Sequence, residues 1–228
     1  GLSGIDLVKK HGYKVEHNNR GSKENHWIDE IVGRTNPSAL IFDLGPNMDN
    51  QSLGKWRKSG ILIITIDDPS IRRLQSDLAF YPPVPQLKYM DWTDFDGKLY
   101  SGWEWVILRK EFSVGMERSE NACLKVLVTM GGSDPAGLTL KTISALDILD
   151  NSFETTVVIG PGFPYEHQLR DMILKTQRNF DIVQNAENMS VLMAQSDLGI
   201  ASFGVTAYEM AAMALPSIFL CLTKDHEE

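Results

Sequence analysis

Two short stretches carry residues suited to holding a phosphate. Gly131-Gly132-Ser133-Asp134-Pro135 follows the apolar run Lys125–Met130, and Ser202-Phe203-Gly204-Val205-Thr206 follows Leu198–Ala201. Each reads as a strand that turns directly into a helix. Glycines let a backbone approach a ligand closely, Ser133 or Asp134 can cap, and Pro135 suits a first helical turn. The unpaired N–H groups of a helix start, together with its dipole, bind anions without any basic side chain. Both helix starts are therefore expected to present free amides to a diphosphate. Glu209 follows Thr206 by three residues. That spacing fits a capping box, and it equally places a carboxylate one turn inside the helix, where ribose hydroxyls can donate to it. Gly160-Pro161-Gly162 closes a third strand and reads as a rigid turn or as part of the same ligand edge.

Other chemistry is poorly represented. His11, His17, His26 and His167 lie in polar stretches, whereas His226 stands with Asp225, Glu227 and Glu228 beyond the last strand, where it could hold a sugar or move a proton. The sequence has no CxxC, no HExxH and no lysine-bearing P-loop, so neither a metal nor a cofactor is expected. Cys123 and Cys221 sit in or beside apolar runs and read as small buried hydrophobes.

Charge narrows the partners. Of the net −8, residues 121–228 carry −7, from 6 Lys and Arg against 13 Asp and Glu. An acidic surface repels a polyanion, because affinity for nucleic acid comes from cations that neutralise many phosphates. A small phosphate ester remains suitable. No apolar run approaches the roughly 20 residues of a membrane span, and residues 1–10 lack a signal-peptide layout, so a cytoplasmic protein is expected.

These groups need a scaffold. From Lys125 onward, β-branched runs alternate with helical periodicity, the pattern of a parallel sheet wound by crossover helices. Strands are expected at Lys125–Met130, Thr155–Gly160, Phe180–Gln184, Leu198–Ala201 and Ser217–Leu222. Helices are marked by Ile143, Leu146 and Leu149; by Leu169, Met172 and Ile173; by Met189, Leu192 and Met193; and by Val205, Tyr208 and Ala212. In the first half, strands are expected at Ala39–Asp43, Ile61–Ile66, Asp77–Tyr81 and Trp105–Leu108, with helices around Ile28–Val32 and Asp49–Lys58. The polar segment 113–121 divides the chain into an N-terminal α/β domain, 1–116, and a C-terminal α/β domain, 122–228, which carries both turns. Two such domains facing one another would leave a cleft between them.

Together the pieces resemble the GT-B glycosyltransferase-like superfamily, with two Rossmann-like doubly wound domains. Within it they are most similar to the UDP-sugar hydrolases of pseudaminic acid biosynthesis. The resemblance rests on VTMGGSDP at 128–135, on NAENMSVLMAQSDLGIASFGVTAYEMAAMALPSI at 185–218 and on the terminal KDHEE. In the first half it rests on IFD ending at Asp43, IDD ending at Asp68, and WVILRKEF at 105–112. The second-half block is also similar to the lipid-linked N-acetylglucosaminyltransferase of peptidoglycan synthesis. The resemblance implies a UDP-sugar ligand, with uracil on backbone around Ala186 and Met189 and ribose on Glu209. The diphosphate would lie on Gly131, Gly132 and Ser133 and on the turn from Ser202 through Phe203, Gly204 and Val205 to Thr206. Asp225 and His226 stand where the family has Asn-Gln reaching for the sugar.

The family begins with a strand, a glycine-rich G-x-G-H-x-x-R loop and a helix, and its loop histidine activates water. The present chain starts after them, at GLSGIDLVKKHGYKVEH, and it carries Asp43-Leu44 where the family has Asp-His. Closing helices are also expected beyond Glu228. The expectation is a chain truncated at both ends, with a fused or partner domain upstream, or a degenerate relative. Three activities follow: a hydrolase releasing UDP from an amino-deoxy sugar in surface-polysaccharide or nonulosonic acid biosynthesis, a glycosyltransferase using a UDP-sugar donor, or a non-catalytic nucleotide-binding module. The catalytic residue is unassigned.

Overall fold

The computed structural model describes residues 4–18, 24–43, 50–113 and 122–221. The chain divides into two compact units, residues 5–107 and residues 108–228 with 1–4. Much of the polar segment 113–121 lies outside the described residues. Leu108 and Phe112, which precede it, pack into the core of the second unit.

In the first unit, α1 (Gly4–Lys10) and α2 (Glu24–Thr35) precede β1 (Ala39–Phe42), α3 (Asn50–Lys58), β2 (Leu62–Ile66), β3 (Leu78–Tyr81) and β4 (Lys98–Ser101). All strand pairs are parallel, in the order β1-β2-β3-β4. Alternation along the strands turns Phe42 and Ile63 to the face where α3 seats Leu53 and Trp56, and the Phe42 and Trp56 rings stack at 5.9 Å. No strand forms at 105–108. Trp103–Trp105 is instead a turn of 3-10 helix, and the fourth strand is β4. The Trp105 ring packs against Phe80 and Tyr100 at 5.2 and 4.7 Å, so its aromatic character serves a ring cluster at the ends of β3 and β4.

The second unit runs β5 (Leu124–Thr129), α4 (Leu138–Asp147), β6 (Phe153–Ile159), α5 (Glu166–Ile173), β7 (Phe180–Gln184), α6 (Met189–Ala194), β8 (Leu198–Ser202), α7 (Val205–Ala212) and β9 (Ser217–Leu220). Its parallel sheet has the order β7-β6-β5-β8-β9. Val126, Val128 and Val157 face a core shared with Ile143 of α4 and Leu169 of α5. Leu127 and Val158 point the other way, onto Met193 of α6 and Met210 of α7. Burial on both faces explains why these strands read as continuous apolar runs. Leu149, expected on α4, lies past its end and is 45% exposed.

In this order the chain leaves β5 in one direction and β8 in the other. The topological switch point falls between them, which is where open α/β sheets collect ligands.

Candidate functional site

The two turns singled out in the sequence meet at that switch point. Gly131 follows β5 with φ +75, and a Cβ placed on it would come 4.0 Å from Oγ of Ser202 at the end of β8. Gly131, Gly132 and Ser133 are exposed, as are Gly204 and Val205, while Ser202, Phe203 and Thr206 are half-buried. The third turn supports the first from behind. The Gly162 amide donates to the Gly132 carbonyl at 2.9 Å, and the Tyr165 hydroxyl donates to the Pro135 carbonyl at 2.8 Å. Phe203 is held by β9, its ring edge-on to Phe219 at 5.9 Å.

The helix starts are not equivalent electrostatically. Asp134 is 4% exposed, and its two carboxylate oxygens accept the amides of Leu138 and Thr139 at 2.8 Å each. The start of α4 is thus closed by its own carboxylate. Two of its first-turn amides are therefore already taken, and the exposed turn before it, Gly131 to Ser133, is the part of this element open to a ligand. At α6, Oε2 of Glu111 accepts from the amide and hydroxyl of Ser190, at 3.4 and 3.1 Å. Helix α5 carries Glu166 in its first turn. Helix α7 has neither a side-chain cap nor an acidic residue in its first turn, and Gly204 precedes it. Among the described residues, α7 is the helix start at this sheet edge whose dipole is not already answered by a carboxylate.

The capping box between Thr206 and Glu209 does not form. The helix begins at Val205, two residues early for that spacing, and Glu209 turns to Arg109 instead. Glu209 is 7% exposed. Its Oε1 accepts from Nε and Nη2 of Arg109 at 3.3 and 3.1 Å. Nη1 of Arg109 pairs with Oε1 of Glu111 at 2.6 Å, and the guanidinium lies 5.0 Å over the Phe112 ring. The sequence reading missed Arg109 and Glu111 as site residues. The one signal was their place in the WVILRKEF motif, since 100 residues separate Arg109 from Glu209.

Ala186, in the connection from β7 to α6, and Met189, the first residue of α6, lie at the same edge. Met189 is 8% exposed, its side chain packed in the core. Asp225 and His226 lie outside the described residues, as does Leu44. The four remaining histidines are exposed. Neither cysteine is buried: Cys123 is intermediate and Cys221 exposed, each lying at the border of an apolar strand rather than within it.

In the first unit, Asp43 follows β1, and Asp67 and Asp68 follow β2. Asp68 is committed to a buried ion pair with Arg72, at 3.1 Å. Asp67 adopts φ +48, and desolvation of its carboxyl pushes its pKa above the ordinary value, with the charges of Asp43 and Asp68 adding to the shift. Among the described residues, no group of His, Cys, Asp and Glu could hold a metal ion, and no helix is long and apolar enough to cross a membrane.

No protein-family model matches the chain. It is 34% identical over 225 residues to the uncharacterized protein MJ1062 of Methanocaldococcus jannaschii, an alignment covering 95% of this chain and 46% of that protein. It is 28% identical over 127 residues to the spore coat polysaccharide biosynthesis protein SpsG of Bacillus subtilis, covering 54% of this chain and 37% of that one. The chain therefore spans less than half the length of the curated relatives it matches. Among solved structures, it superposes on MurG of Acinetobacter baumannii with a TM-score of 0.61 at 16% identity, covering 97% of this chain and 68% of that one. A glycosyltransferase from Rickettsia africae gives 0.57 at 16% identity, covering 96% and 69%. The UDP-GlcNAc 2-epimerase of Methanocaldococcus jannaschii, in complex with UDP-GlcNAc and UDP, gives 0.53 at 11% identity, covering 94% and 71%. The two parallel-sheet, Rossmann-like units of this chain are an α/β fold of the GT-B type.

Proposed function

We propose that the second unit binds a UDP-sugar at the β5/β8 switch point. The observation that carries this reading is the meeting of two exposed small-residue turns beside the bare start of α7. The diphosphate lies against the amides of Gly204, Val205 and Thr206, with the Gly131-Gly132-Ser133 turn and Ser202 beside it. Glu209, one turn inside α7, accepts from the ribose hydroxyls. Uracil pairs with backbone around Ala186 and Met189, and the resemblance alone assigns the sugar to Asp225 and His226.

The reaction is hydrolysis. A water oxygen bonds to the anomeric carbon, the bond from that carbon to the diphosphate oxygen breaks, and UDP departs with the electron pair while a proton is released. The α7 start stabilises the charge on the leaving diphosphate. The substrate class is a UDP-linked amino-deoxy sugar of nonulosonic acid or surface-polysaccharide biosynthesis, the branch represented by the pseudaminic-pathway hydrolases. The likeness to a protein of spore coat polysaccharide biosynthesis supports that setting. A second reading, transfer of the sugar to an alcohol acceptor, is supported by the superposition on a glycosyltransferase from Rickettsia africae. Both readings use the same UDP contacts.

The test is product analysis with UDP-N-acetylglucosamine and UDP-linked diacetamido sugars, with and without an alcohol acceptor. Free sugar and UDP formed in water alone support hydrolysis. Turnover only with acceptor supports transfer. Absence of UDP binding by calorimetry overturns both.

A further inference from the structure

We infer that Arg109 is a positioning residue that holds Glu209 ready for the ribose, an inference that rests on the reading of Glu209 given above. A carboxylate as buried as Glu209 is costly to keep ionised without a counter-ion. Arg109 supplies one, and its Nε and Nη2 both land on Oε1, so that among the described residues no donor occupies Oε2. Arg109 is itself fixed on two further sides. Glu111 holds Nη1 through Oε1, and through Oε2 it grips the amide and hydroxyl of Ser190 at the start of α6. The guanidinium also rests over Phe112, which is 6% exposed in the core. The chain Ser190–Glu111–Arg109–Glu209 thus ties α6 and α7 to the segment that enters the second unit.

There is an electrostatic reason for the arrangement. Glu209 puts a negative charge one turn from the helix start where a diphosphate would sit. Arg109 offsets that charge, so the carboxylate can accept from ribose without repelling the phosphates.

The experiment titrates the full chain with uridine, UMP and UDP by amide chemical-shift perturbation, for wild type, R109A, R109K, E209Q and the R109A/E209Q pair. Thermal denaturation checks each variant, and R109K carries the comparison if R109A does not fold. Positioning of Glu209 predicts that R109A weakens all three ligands by the same factor, roughly 10- to 100-fold. It also predicts that R109K recovers part of the loss for each, and that R109A adds little once Glu209 is Gln. Unchanged uridine binding with progressively weaker UMP and UDP means that Arg109 contacts phosphate directly, and overturns the inference. So does an R109A effect that persists in full in the E209Q background. If wild type binds none of the three, the UDP reading itself fails and the inference falls with it.

Discussion

The Gly160 Cα is packed so closely on Gly132 that a Cβ there would lie 2.4 Å from the Gly132 carbonyl oxygen and 2.5 Å from its Cα. Both atoms belong to backbone, so no side chain can rotate away to make room. Gly160→Ala must displace the Gly131–Ser133 turn. The expected cost is about 1–3 kcal/mol of stability, measured by chemical denaturation, with weaker UDP binding in parallel. Full stability with unchanged affinity would mean that the turn has no fixed position.

Asp134 caps the start of α4 through the amides of Leu138 and Thr139. Asp134→Ala is expected to destabilise the protein by about 1–2 kcal/mol while leaving UDP affinity within about 0.5 kcal/mol of wild type. Calorimetric titration of a stabilised background separates the two effects. A large loss of affinity at full stability would contradict the assignment.

Asp67 makes stability depend on pH. A carboxyl whose pKa is raised by folding binds its proton more tightly in the folded protein. Stability is then greatest below the unfolded value, about 3.8, and falls as pH rises through the shifted one. Asn accepts the positive φ at this position. Asp67→Asn is therefore expected to raise the denaturation midpoint at neutral pH and to leave it unchanged in the acid range, where Asp67 is protonated. Curves that run parallel at every pH would show that the shielding of Asp67 is not felt in stability.

Glu209→Ala removes the buried acceptor. The expected result is a loss of about 1–3 kcal/mol in UDP affinity, read by calorimetry and mirrored in uridine. Wild-type affinity in this variant would leave Glu209 only its ion pair with Arg109.

The second unit was more legible in the sequence than the first. Phe180–Gln184 is a strand over the residues expected, and Lys125–Met130 is shifted by one, because strands buried on both faces appear as uninterrupted apolar runs. β4 escaped notice: Lys98–Ser101 is a short, largely exposed edge strand with no such run, and the aromatic stretch after it had the composition of a strand. The two turns could be read as local chemistry, yet their electrostatic difference could not. Asp134 closes α4 only because Pro135 and the left-handed Gly137 delay the helix to Leu138. The Arg109–Glu209 pair joins residues that only the tertiary fold brings together. The capping-box spacing at Thr206 does not form a box because the helix starts at Val205, ahead of Thr206, and Arg109 takes the carboxylate.

The bare start of α7 is the centre of the account, and one substitution there drives stability and binding in opposite directions. Val205 is 60% exposed, so Val205→Asp removes little packing and adds a carboxylate to the first turn. Helix stability should hold or rise by about 0.3–1 kcal/mol, while UDP, now facing a negative charge at the same amides, should bind more than about tenfold more weakly. The decisive measurement is a UDP titration of Val205→Asp beside its denaturation curve. Retained stability with lost affinity is the predicted result, and wild-type affinity would place the diphosphate somewhere other than α7.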